Sequence, residues 1–175
     1  VAPHITYWEI SPSGEILNEA VIETEKPTMV HSFAITDREV VFWECPVVFD
    51  IQNAIENPID AFMWTPEYGA RIGVLAFGDS GDKIRWVDLP EPCFVFHETN
   101  AHRDGDDIHI DVHWLQEGFN KSDLATGEDT IRRWTVNTAG EELTFRDQII
   151  SDNNWDLPKI DPRYVGRPYQ HSWHA

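Results

Sequence analysis

Residues 93–115, CFVFHETNAHRDGDDIHIDVHWL, contain two apolar runs separated by an acidic turn at Asp104-Gly105. In the second run apolar and polar residues alternate, which is typical of a β-strand whose side chains point to opposite faces. An Asp-Gly turn between two such runs favours an antiparallel hairpin. His97 ends the first run, where burial of an imidazole without a partner is costly.

The same arrangement occurs in TMVHSFAIT, residues 28–36, where His31 follows Met29 and Val30. A turn at Asp37-Arg38 then leads into another apolar run. A metal would explain the burial of both histidines, since ligation satisfies one ring nitrogen and a nearby acceptor the other. A satisfied core histidine explains it equally well, and the residues alone favour neither interpretation.

The rest of the chain alternates short apolar runs with turns and holds no helical period over ten residues or more. We expect a short helix at 51–55 and an irregular, Pro-rich end from 153 to 175. Many short strands with regular turns predict an all-β sandwich, barrel or propeller. The spacing of the two histidine segments suits propeller blades of about 40–50 residues plus an insertion, and a propeller would bring both histidines to its axis.

Composition limits the function classes. The 175 residues are 41% hydrophobic and include eight Trp, which suits a single packed domain. A net charge of −18 repels phosphate backbones, so nucleic acid is excluded as a partner. Cys45 and Cys93 are predicted to be buried free thiols, and we expect a cytoplasmic location. No apolar run approaches the ~18 residues of a membrane-spanning helix.

Other histidines and acidic residues are further candidates for a metal site. His109, Asp111 and His113 share one face of a strand and could form a metal facial triad, but a solvated strand face is favoured. The acidic turn 104–107 lacks an EF-hand pattern and is predicted to be solvated rather than calcium-bound. His171 and His174 are expected to be exposed.

Two further function classes remain open. A propeller glycosidase or lectin could use Trp64, Trp86 and Trp114 as stacking platforms, although no acid pair is marked out. A non-catalytic β-domain could bind a partner or calcium. Three aromatic residues of the apolar runs are predicted to lie in the core; these are Phe33, Trp43 and Phe96.

Three motif segments match a known family in order and spacing, and a fourth segment resembles one of its strands. MVHSFAIT at 29–36 resembles the ligand segment M-x-H-D-F-A-x-T of the carotenoid cleavage oxygenases. VFHETNAHRDGDDIHID at 95–111 is similar to their F-H-x-x-N-A-x-x-x-G-D-x-I-x-x-D segment. LPKIDPRYVGRPY at 157–169 resembles F-P-R-I-N-P-x-x-x-G-R-P-Y, and EYGARIGVL at 67–75 resembles a strand of the same family.

The resemblance implies a seven-bladed β-propeller that binds Fe(II) on its axis through four histidines. His31 matches the second ligand and His97 the third, so residues 1–175 would form one partial propeller domain of about three to four blades, truncated at both ends. Asp156 takes the place of a Glu that accepts a hydrogen bond from the third ligand. Ser32 replaces the Asp that usually follows the second ligand.

The implied function is a non-haem Fe(II) dioxygenase that uses O2 to cleave a C=C bond of a carotenoid, apocarotenoid or stilbene into two carbonyl products. The implied partners are an apolar alkene and O2, and peripheral membrane contact is a further expectation. A fragment of this kind is expected to be inactive alone and to self-associate or pair with the missing chain segments.

Overall fold

The computed structural model describes residues 5–57, 61–118, 129–153 and 155–175, which form twelve strands and one short α-helix. The all-β prediction is therefore confirmed, and so is the short helix, α1 (Ile51–Glu56), which begins after Asp50. The strands are β1 (Ile5–Ile10), β2 (Ile16–Ile22), β3 (Ala34–Ile35), β4 (Glu39–Glu44), β5 (Val47–Phe49), β6 (Phe62–Trp64), β7 (Arg71–Ala76), β8 (Arg85–Asp88), β9 (Phe94–Asp104), β10 (Asp107–Leu115), β11 (Thr130–Asn137) and β12 (Thr144–Ser151).

The strands form four antiparallel sheets. Two sheets have four strands each, in the orders β3-β4-β7-β8 and β12-β11-β10-β9, and two have a single hairpin each, β1-β2 and β5-β6. The β9–β10 hairpin closes at Gly105, whose φ of 59° lies in the left-handed region that glycine adopts without a steric penalty. The strand pairs on either side of the predicted turns at Asp37-Arg38 and Asp104-Gly105 are both present.

The larger apolar core contains residues of both four-stranded sheets. Trp43 of β4 packs against Trp134 of β11 with ring centroids 6.5 Å apart, and its indole N–H donates to the Val95 carbonyl. Cys45 and Cys93 lie in this core as free thiols, as predicted. Among the described residues, no helix is long and apolar enough to cross a membrane.

Strand β9 is bulged where it carries His97. Val112 of β10 pairs with Glu98 and Trp114 pairs with Val95, so Phe96 and His97 together face the single residue His113. Such a bulge breaks the strict alternation of side chains and redirects the residues within it.

Residues 155–175 are irregular, as predicted, and cover one face of the β9–β10 hairpin. The Asn100 side chain donates to the carbonyls of Tyr164 and Arg167 and accepts from the Gly166 N–H. On β10, Asp111 accepts a hydrogen bond from the Tyr169 hydroxyl. Side chains on the hairpin therefore fix the path of this segment.

That cover makes the prediction of a solvated face on β10 wrong. Asp111 and His113 are buried, and only His109 remains half-buried. A facial triad does not form either, because the Asp111 carboxylate is taken by Arg133 and Tyr169. The alternating pattern correctly predicts the strand β10. The segment that covers its polar face lies about fifty residues further along the chain and has no strand pattern from which its position could be predicted.

Other expectations are corrected by packing. Trp114 is buried beneath the Arg132 guanidinium, and Arg71 lies over the Trp86 ring, so neither indole offers a free stacking platform. Phe33 is 44% exposed rather than core. His174 is half-buried rather than exposed, because the chain end pairs back onto the segment that begins at 155, whereas the other predicted exposed residue, His171, is exposed.

Candidate metal centre

His31 and His97 lie side by side, although they come from distant parts of the sequence. Their ring centroids are 5.1 Å apart and their planes are nearly perpendicular, at 84°. His31 lies in the irregular stretch before β3, and His97 lies in the bulge of β9. The expected apolar burial is wrong for His31, which is exposed, while His97 is half-buried, because the stretch 29–33 is not a strand.

Hydrogen bonds fix the same nitrogen in both rings. His31 Nδ1 lies 3.1 Å from the Phe96 carbonyl oxygen, and His97 Nδ1 lies 2.8 Å from Asp156 Oδ1. A carbonyl or carboxylate only accepts, so Nδ1 carries the proton in each neutral ring and the lone pair is left on Nε2. The described residues use Nε2 of neither ring in a hydrogen bond. This arrangement fits neutral imidazole ligands of a metal ion, whose second nitrogen donates to an acceptor.

The environment of Asp156 keeps its carboxylate ionised. Burial alone would raise its pKa, but the hydrogen bond from His97, a backbone N–H and the nearby His113 together lower it. The backbone of Asp156 is held by paired hydrogen bonds to Ala175, at 3.1 and 3.0 Å. The next residue, Leu157, has a φ of 49°, which costs a non-glycine residue about 1 kcal/mol or more. Surrounding contacts thus hold this carboxylate in place against local strain.

A second contact joins the two segments that carry the histidines. The Ser32 hydroxyl donates to Glu98 Oε2 at 2.5 Å, and these residues directly follow His31 and His97. Burial raises the pKa of Glu98, and the hydrogen bond from Ser32 opposes that shift. An Asp at position 32, which the resembled family usually has there, would place a second carboxylate against Glu98. A serine hydroxyl can donate a hydrogen bond to the Glu98 carboxylate, which an ionised Asp at the same position could not do.

Aromatic rings line the neighbourhood of the histidine pair. The Phe96 ring is perpendicular to that of His31, with centroids 5.2 Å apart. Two residues after His31 in the sequence, Phe33 packs against Tyr7 and Phe42 with centroid distances of 6.3 and 5.6 Å. The predicted core role of Phe33 is wrong, because part of its side chain faces solvent. The chemistry of this surface is therefore apolar around two imidazoles.

Two donors do not complete a metal site. Within residues 5–57, 61–118, 129–153 and 155–175, no group of three or more His, Cys, Asp or Glu could hold a metal ion. Sequence reasoning singled out His31, His97 and Asp156 and missed Ser32–Glu98 and the position of His113 opposite the bulge. No sequence signal marks these, since a bulge shifts the register without changing the apolar pattern.

Comparison with known proteins gives consistent matches along the chain. The carotenoid cleavage oxygenase of Mycobacterium tuberculosis is 28% identical over 97% of this chain and 42% of its own length. The carotenoid 9,10(9',10')-cleavage dioxygenase 1 of Phaseolus vulgaris is 31% identical over 94% of this chain and 31% of its own length. The crystal structure of Pseudomonas brassicacearum lignostilbene dioxygenase superposes with a TM-score of 0.84 at 26% identity, covering 97% of this chain and 37% of that one.

The chain thus spans less than half the length of the relatives it matches. A family model, described as retinal pigment epithelial membrane protein (RPE65), matches residues 1–175. The resemblance read from the three sequence segments is therefore confirmed: the chain belongs to the RPE65 family, which includes the carotenoid cleavage oxygenases.

Proposed function

We propose that this chain contributes two of the iron ligands of a dioxygenase that cleaves a C=C bond of an apolar alkene. The observation that carries the proposal is the His31–His97 pair, in which both Nδ1 atoms are anchored and both Nε2 atoms remain for a metal. The names of the relatives, which are carotenoid and lignostilbene oxygenases, support the substrate class. The activity belongs to the whole protein, of which this chain matches a part.

The proposed architecture is a β-propeller to which this chain contributes about three to four blades. Its two four-stranded antiparallel sheets have the strand number of blades, and their strands follow chain order except that the β5–β6 hairpin is inserted between β4 and β7. The two remaining ligands of a four-histidine centre would then come from segments outside residues 1–175. The sheet edges and apolar side chains left open by this arrangement favour association with those segments or with a second copy.

In the proposed site the residues of this chain bind, orient and exclude water. The Phe96 carbonyl and the Asp156 carboxylate hold the protons on Nδ1, which presents Nε2 of both imidazoles to Fe(II). When bound, Fe(II) would supply the activation of O2 for alkene cleavage into two carbonyl products. Phe33 and Phe96 offer an apolar surface to the alkene and reduce the access of water to the reacting bond.

The partners proposed for the whole protein are an apolar carotenoid, apocarotenoid or stilbene and O2. Peripheral membrane contact and a cytoplasmic location remain predictions. The calcium and sugar-binding alternatives have less support: Asp107 of the acidic turn is engaged by Asn137 and Arg146, and cations cover two of the three Trp rings.

The test is iron retention by the full-length protein. We expect His31→Ala and His97→Ala each to remove iron and alkene cleavage together, because either change leaves an incomplete ligand set. His171→Ala is the matched control, since this imidazole is exposed and was not predicted to bind metal. Iron per protein is measured after dialysis against a chelator. Wild-type iron content in both ligand variants would overturn the proposal.

A further inference from the structure

His113 is a buried imidazole without a satisfied nitrogen. Its side chain is 5% exposed, and neither Nδ1 nor Nε2 has a hydrogen-bond partner among the described residues. Leaving a polar group unsatisfied in the interior is expensive, typically about 1–3 kcal/mol. A histidine that served only to fill the core would be replaced by an apolar residue at no loss, so its presence calls for a partner.

The nearest partner is the carboxylate that holds His97. Asp156 Oδ1 lies 3.3 Å from His113 Nδ1 and 2.8 Å from His97 Nδ1, so one oxygen faces both imidazoles. The bulge of β9 creates this approach, because it sets Phe96 and His97 opposite His113. The 3.3 Å distance is within the reach of a hydrogen bond, although the two groups do not form one in the described geometry.

Other charged groups surround His113 without competing for its Nδ1. Asp129 and His174 interact with it electrostatically, but neither forms a hydrogen bond with it among the described residues. Asp111, two positions earlier on β10, is already occupied by Arg133 and Tyr169. Asp156 is therefore the acceptor that the geometry offers.

We propose that His113 is a positioning residue for the iron centre: it donates Nδ1–H to Asp156 Oδ1 and holds that carboxylate against His97. The inference rests on the proposed role of His97 as an iron ligand. A carboxylate that accepts from two donors has fewer orientations than one with a single donor. The restraint matters here because Asp is one methylene shorter than the family's Glu and precedes the strained Leu157.

The test compares three variants of the full-length protein by competition for Fe(II) with a graded chelator. His113→Leu fills the space but removes the donor, and we expect iron affinity to fall roughly tenfold, the lower end of losses typical for partners of metal ligands. His113→Asn places an amide N–H near the former Nδ1 and should restore affinity to within about twofold of wild type. His109→Leu, on the same strand and face, is the control and should not change affinity.

A purely structural role predicts a different pattern. If His113 has only a structural role, His113→Leu removes an unsatisfied ring, so the stability of the iron-free protein to urea should be unchanged or raised. Iron affinity should then be unchanged as well. Unchanged affinity in His113→Leu, or a tenfold loss that persists when Asp156 is already Ala, would overturn the inference. If His31→Ala and His97→Ala also retain iron, the proposed function itself fails, which is a separate result.

Discussion

Replacing Asp111 by Asn should destabilise the protein strongly, because this carboxylate anchors the segment that carries Asp156. The Asp111 side chain is 4% exposed and accepts two hydrogen bonds of 2.7 Å from Arg133 and one from the Tyr169 hydroxyl. Removing one partner of a fully buried ion pair costs about 3–5 kcal/mol. Since the Arg133 side chain is 39% exposed and can be partly solvated, we expect a loss of about 2–3 kcal/mol.

The assay is urea unfolding at pH 7. With an m-value of about 2 kcal/mol/M, a loss of 2–3 kcal/mol in the free energy of unfolding lowers the urea concentration at the midpoint by roughly 1 M or more. The matched control is Asp107→Asn on the same strand. Asp107 accepts from Asn137 and from an Arg146 that is 69% exposed, so its replacement should lower stability clearly less than Asp111→Asn does. Equal losses for the two variants, or a loss below about 0.5 kcal/mol for Asp111→Asn, would refute the anchoring role.

Two further outcomes are expected from the electrostatics. Ser32→Asp should destabilise the protein by about 1–2 kcal/mol at pH 7 and less at pH 5, because the raised pKa of Glu98 lets it take up a proton and relieve the repulsion between the two carboxylates. Ser32→Ala is the control and should lack this pH dependence. If the free energies of unfolding in urea of the two variants change with pH in the same way, the contact between residues 32 and 98 is not responsible. Burial, then His109 and Arg133, lower the pKa of His102; its contribution to stability is therefore complete above about pH 6.5 and lost as pH falls toward the lower folded pKa. His102→Gln should flatten the urea midpoint between about pH 7 and pH 5, and an unchanged slope would show that other groups are responsible.

The hairpins and the histidine pair were accessible from the sequence because their signals are local. Alternation and turn residues identify β9 and β10, and the family segments identify His31 and His97 as residues that meet. The burial of Asp111 and His113 was not accessible, because it depends on a cover supplied by residues 155–175, which have no periodic pattern. The Ser32–Glu98 contact depends in turn on how the stretch before β3 lies beside β9, and no propensity encodes that.

The three family segments act as one mechanical unit around the histidines. Asn100 of the second segment holds the turn 164–167 of the third through three hydrogen bonds. Gly166, with φ 76°, is packed so closely that a Cβ there would lie 3.0 Å from the Thr36 carbonyl oxygen at the end of the first segment. Asn100 and Gly166 are not part of the histidine pair. Together they fix the turn 164–167 of the third segment, and the other end of that segment follows directly after Asp156. The proposed role of Asp156 as the acceptor for His97 therefore depends on packing beyond the histidine pair as well as on the 2.8 Å hydrogen bond between the two side chains.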